Sequence, residues 1–213
     1  YKNTVVDDFI TEIALASQQD LTKWSKLWLN EATPDVLKTT FECENGNLKS
    51  VRAELTNARN TSVRPHLLQF AMLALNDNKL TVLNAQTAVV NKLEQFIPVD
   101  NQSKCPEATI PNYGDYAYVK MALDAKTLKS IQDNFSKIEN IHLRMMLSDS
   151  LWEMVRDQKL KLDDYKTFVL KALSNEVDFK ILTEISATAS GRSRGFDSVF
   201  YFDPQDKVFK VVV

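Results

Sequence analysis

At 213 residues with 44% hydrophobic content, the chain has room for one large domain or two or three small ones, and the composition of a folded globular protein. Its 26 basic and 28 acidic residues are well mixed and leave a formal charge of -2, so no basic face stands ready for phosphates and nucleic acid is not an expected partner. No apolar run approaches the roughly 20 residues that cross a bilayer, and the opening "YKNTVVDDFITEIALAS" carries acids where a signal peptide has its apolar core.

Val6, Phe9, Ile10, Ile13 and Ala14 recur at helical spacing and predict a helix with one apolar face. Asp20 is placed to cap a second helix, whose stripe is Leu21, Trp24, Leu27 and Trp28 and which ends before the breaker "TPD" at 33 to 35. Two short helices cannot bury these stripes by themselves. The chain also starts without Met and within a helical pattern, as expected of a piece of a longer polypeptide.

From Val36 to about Val99 short apolar or alternating runs are divided by turn residues: "VLKTTFECE", "LKSVRAELT", "HLLQFAMLAL", "KLTVLNAQTAVV" and "EQFIPV". Strands at this interval predict a small antiparallel sandwich. "HLLQFAMLAL" is apolar on both faces and fits a helix as well, but the tight "NDN" after it favours a central strand. "DNQSKCPEATIPNYGDY" reads as a linker, and "YAYVKMAL" as a last short extended segment.

Helices then resume. Asp124 caps a run with Leu128, Ile131, Phe135 and Ile138 on one face; Leu143, Leu147, Leu151 and Met154 line the next, and Tyr165, Phe168, Val169, Ala172 and Leu173 the one after. The short connection between the last two suits an antiparallel helix hairpin. A further helix carries Val177, Ile181, Leu182 and Ile185. In the tail, "SVFYF" and "KVFKVVV" flank the turn-like Asp203-Pro204-Gln205-Asp206 and predict a β-hairpin. The expected fold is thus α+β and multidomain: N-terminal helices (1–33), a small antiparallel β-sandwich (34–103), the start of an α-helical, helix-hairpin domain (104–190) and a hairpin tail (191–213).

Residues that carry chemistry elsewhere read here as structural. His66 begins a strand and His142 heads an amphipathic helix, far apart and without a second ligand at metal spacing. Asp163 and Asp164 precede a helix, where their charge suits its free amides and dipole. Trp24, Trp28 and Trp152 lie on or beside apolar stripes and are expected in the core. Arg192 and Arg194 in "GRSRG" read as a solvated loop. No catalytic, metal-binding or substrate-binding residue is assigned. Cys43 lies in the first strand of the sandwich and Cys105 just beyond its last, so the ends of one small domain meet and a disulfide is expected; closing a loop of about 60 residues is worth ~4 kcal/mol in the chain-entropy model. A bonded pair implies an extracytoplasmic parent, reduced thiols a cytoplasmic one.

The order of these pieces resembles the aminopeptidase N family of zinc metallopeptidases. "DFITEIALASQQDLTKWSKLWLNEA" is similar to the close of that family's catalytic domain, with Asp20, Leu21, Trp24, Trp28 and Leu29 in register with D-L-x-x-W-x-x-x-W-L. "PNYGDYAYVKMALDAKTLKSI" resembles the entry to its helical C-terminal domain, and "LRMMLSDSLWEMVRDQKLKLDDYKTFVL" the L-R-x-x-L-x-x-x-L-W-x-M-V-R-D-x-x-L form of bacterial members. The family's His-Glu-x-x-His signature and its Gly-x-Met-Glu-Asn substrate loop are missing from this chain, so no catalytic residue carries over. The resemblance implies a non-catalytic C-terminal part of an enzyme that removes N-terminal residues from peptides with one zinc. Its partners would be the catalytic domain of the same polypeptide and the parent's peptide substrates. In the family the helical domain closes over the active site, so the segment would hold the architecture and restrict access. The alternative is a free-standing protein- or peptide-binding module without a peptidase.

Overall fold

The computed structural model describes residues 3–56, 63–100 and 103–189, and the backbone of 200–203 and 208–211. Helix α1 (Val6–Ser17) forms on the predicted stripe, with Asp7 and Asp8 in its first turn and the Asp8 carboxylate accepting the Val5 amide at 3.1 Å. Helix α2 (Thr22–Leu29) starts one residue later than expected, with Leu21 in the capping position. Asp20 still accepts the Thr22 amide at 2.9 Å, and hydrogen bonds from the Thr22 hydroxyl and amide hold its carboxyl below its ordinary value.

Strands β1 (Asp35–Glu44) and β2 (Asn47–Thr56) are joined at Asn45-Gly46, where both residues have positive φ, 52° and 80°, as a two-residue hairpin turn requires. Strands β3 (His66–Asn76) and β4 (Lys79–Val90) turn in the same way through Asp77 and Asn78. With β5 (Glu94–Ile97), β6 (Ala108–Ile110) and β7 (Val119–Leu123) they form two sheets, ordered β5-β2-β1-β7 and β4-β3-β6. All pairings within them are antiparallel except β1 with β7.

The stretch read as a linker therefore carries strand β6, and the segment after it adds β7 beside β1. Both lie beyond residue 103. Three residues between Pro106 and Pro111 give too short a pattern to signal a strand, and β6 exists because β3 offers it an edge.

β3 explains its own two-faced sequence. Leu68, Phe70 and Met72 point into the sandwich with Leu37, Phe41, Val51, Leu55, Val90 and Ile97. Ala71 and Leu73 point the other way, into a second core. That second core is closed by α3 (Ala125–Asn134), a short 3-10 turn (Phe135–Lys137), α4 (Ile141–Arg156), α5 (Leu162–Asn175) and α6 (Phe179–Ala189). Asp124 caps α3 as expected, accepting the amides of Lys126 and Thr127. Phe135 and Phe168 meet edge to face at 5.0 Å, and Tyr165 stacks between Phe168 and Trp152.

Some expected placements change. Trp152 is buried and Trp28 half-buried, but Trp24 is exposed at 43%. Asp163 and Asp164 fall inside the first turn of α5, behind Lys161 in the capping position, so they complement the dipole without capping an amide. Val177 precedes α6 and is exposed, leaving Ile181 and Ile185 to anchor that helix. In the tail, β8 (Phe200–Asp203) and β9 (Val208–Val211) pair antiparallel, as the hairpin reading expected. Arg192 and Arg194 lie outside the described residues.

Candidate functional site

The segment Asn112–Lys120, between β6 and β7, shapes a concave surface near the junction of sandwich and helices. Buried Asn112 folds this segment onto itself: its Oδ1 accepts the Ala117 amide at 3.0 Å, and its Nδ2 donates to the Ala117 carbonyl at 2.9 Å and to Asp115 at 3.3 Å. Gly114 holds φ at +85°, and a Cβ there would come within 2.5 Å of the Tyr116 ring. The Tyr113 amide donates to Gln69 of β3, and its hydroxyl accepts from Asn140 at 3.3 Å.

Two hollows flank this segment against α4. One is lined by Pro34, Tyr118, Lys120, Ser150 and Glu153, the other by Gln69, Tyr113, Tyr116, His142 and Met145; Asp115, Met146 and Asp149 line both. Tyr116 is 80% exposed and Tyr118 74%. On the first side Lys120 of β7 reaches α4, with Nζ 2.8 Å from Asp157 and 3.0 Å from Glu153. Burial pulls the Lys120 ammonium down, but hydrogen bonds from it to Asp157 and Glu153 outweigh this and hold it above its ordinary value. Burial likewise pushes Glu153 up, and its hydrogen bonds from Lys120 and Arg156 bring it below the usual carboxylate range. The groove thus offers aromatic faces, thioethers and acidic groups. Ser150 spends its hydroxyl on the Met146 carbonyl at 2.8 Å, within the helix.

A second polar cluster, which no motif of the sequence marks, lies where α2 meets the sandwich. Arg64, 3% exposed, stands just before β3; its Nε donates to the Leu27 carbonyl at 2.6 Å, and its terminal nitrogens donate to the carbonyls of Thr33 and Glu31, both at 2.8 Å. Asp35 lies 3.4 Å from the same guanidinium, and its other oxygen lies 2.9 Å from Nε2 of His66. The Trp28 ring closes the cluster, 5.4 Å from the guanidinium carbon and edge-on to His66. Arg64's backbone partners are 31 to 37 residues away in sequence, so no local motif marks them.

The two histidines end up in unlike places, His66 buried against Asp35 and His142 exposed at the head of α4. A catalytic zinc takes three protein ligands. Among the described residues no three His, Cys, Asp or Glu side chains gather closely enough to hold a metal. Cys43 and Cys105 are joined in a disulfide with their Cα atoms 5.6 Å apart, tying the end of β1 to the approach to β6. Among the described residues no helix is long and apolar enough to cross a membrane.

The model of the ERAP1-like C-terminal domain matches residues 109–210. Aminopeptidase N of Streptomyces lividans is 25% identical over 194 residues, which cover 87% of this chain and 23% of that protein. The chain is similar to a C-terminal part of aminopeptidase N. It spans about a quarter of the length of the curated relative it matches. Apart from Pro34 and Gln69, the residues that line the groove beside Tyr116 and Tyr118 lie in the matched region, whereas α1, α2 and the Arg64 cluster lie ahead of it.

Proposed function

We propose that this segment is the non-catalytic support of a zinc-dependent aminopeptidase, carrying the last helices of the catalytic domain, the sandwich and the start of the helical domain. The observation that carries this reading is the uncovered apolar face of α1 and α2. Phe9 is 59% exposed and Val6 57%, with Ile13, Trp24 and Leu29 also exposed, and among the described residues nothing in α1 is buried. A soluble chain does not leave such a stripe in water without a use for it. The catalytic domain of the same polypeptide is the natural cover, since the relative that matches is a much longer aminopeptidase.

In this reading zinc and its ligands belong to that domain, the substrates are peptides with free N-termini, and the helical part limits which peptides enter. The groove lined by Tyr116, Tyr118 and Asp149 supplies a surface for that restriction. The disulfide supports an extracytoplasmic parent, because such bonds persist in oxidising compartments.

Two measurements test the proposal. The coding sequence upstream of Tyr1 should contain an in-frame His-Glu-x-x-His, and the full product should cleave aminoacyl fluorogenic substrates in a chelator-sensitive way. The chain by itself, supplied with zinc, should give no turnover. Activity that follows this chain through purification would overturn the reading, and His66 and His142 would be the first residues to replace. The exposed tyrosines of the groove favour, as second reading, a free-standing peptide-binding module; an upstream sequence without a peptidase would decide for it.

A further inference from the structure

Helix α2 has eight residues, Leu27 is the buried one, and an isolated helix of that length is marginal in water. Its hold on the sandwich is therefore largely polar. The Leu27 carbonyl is one of the four that a helix C-terminus leaves without an intrahelical partner, and a positive charge is favoured there. Arg64 supplies both the donor and the charge. Glu31 and Thr33, whose carbonyls it also gathers, form the exit from α2 into β1. Asp35 balances the buried charge from β1, and His66 fixes Asp35 from β3.

We propose that Arg64 is a positioning residue whose forked guanidinium sets the angle at which α2 leaves the sandwich. The fork matters more than the charge, because three carbonyls on separate residues converge on three different nitrogens of one rigid plane. A lysine ammonium at this site keeps the charge opposite Asp35 but has a single nitrogen on a flexible stem. In an aminopeptidase N-like parent the same group would set the angle between catalytic domain and sandwich, and that consequence rests on the function proposed above.

Hydrogen exchange resolved by mass spectrometry, on this chain, tests the proposal with Arg64→Met, Arg64→Lys and Asp35→Asn. Both Arg64 variants should speed exchange across 22–34 by about tenfold or more, while amides of β1, β2 and α4–α6 stay within about twofold of the parent. Asp35→Asn, which keeps the three carbonyl contacts, should give a smaller local increase. Wild-type protection in Arg64→Lys would show that charge suffices and overturn the proposal. So would a uniform rise along the chain, the mark of a residue that supports overall stability and does not position α2. If Arg64→Met does not fold, the lysine variant carries the decision. The readout needs no catalytic domain, so its failure is separate from failure of the proposed function, which the upstream sequence decides.

Discussion

Arg144 of α4 and Glu176, in the turn between α5 and α6, face each other in the helical core with Nε 3.0 Å from Oε2, and both are buried. Each also serves the backbone: Arg144 donates to the carbonyls of Ile138 and Glu139, and Glu176 accepts the amides of Val177 and Asp178 at 3.0 and 2.9 Å. Removing one partner leaves a buried charge and orphaned backbone groups. Arg144→Met or Glu176→Met should therefore cost about 3–5 kcal/mol in urea unfolding. The double variant Arg144→Met with Glu176→Met should recover part of that loss but not all, since the backbone groups stay unpaired. Full additivity of the two single losses would refute the coupling.

The disulfide closes a sequence separation of 62 residues. Replacing Cys43 and Cys105 together with Ala should lower stability by about 4 kcal/mol, read as a fall in the calorimetric Tm. Native protein never exposed to reductant should show no alkylatable thiol by mass spectrometry after unfolding. Two modified cysteines would remove both the bond and the argument for an oxidising compartment.

Lys120 links β7 to α4 through Glu153 and Asp157, and the link has a pH signature. Glu153 is held below its ordinary value, so its contribution is complete above about pH 4 and is lost as pH falls through the lower folded value. Lys120 is held above its ordinary value, so its contribution is complete below about pH 10 and is lost as pH climbs through the raised one. The stability gap between the parent and Lys120→Met should be widest between those limits and narrow on both sides. A gap that does not change with pH would show that Lys120 acts by packing alone.

The uncovered stripe of α1 makes a prediction about the chain in isolation. Exposed Val6 and Phe9 should cause reversible self-association at high concentration, measurable by light scattering after gel filtration. Replacing both with Glu should abolish it with stability changed by no more than about 0.5 kcal/mol, as befits surface positions. A parent that stays monomeric at every concentration would show that the face is not adhesive.

Much of this architecture was legible because it obeys local rules. The Asn45-Gly46 turn, the Asp124 cap and the heptad-like stripe from Leu143 to Met154 each act within a few residues of themselves. β3 was legible too, once its two apolar faces were weighed against the turn that follows. What escaped was built from distant parts. β6 is a strand because of β3, and α2 ends where it does with the help of Arg64. Trp24 was misplaced for the opposite reason, since an apolar stripe says that a face needs cover without saying that this chain provides it. The groove beside Tyr116 was equally silent in sequence, because Asn112 and Gly114 shape it through backbone contacts that many loops could make.

Because β3 has Phe70 and Met72 in one core and Ala71 and Leu73 in the other, neighbouring residues on a single strand are wetted or dried together. Heat or denaturant should therefore melt the sandwich and the helices together. The same constraint acts over evolutionary time. A recombination event that exchanged the helices for another set would need to bring a matching underside for β3, β6 and β7, so sandwich and helices should be inherited as one block while the loops around them drift.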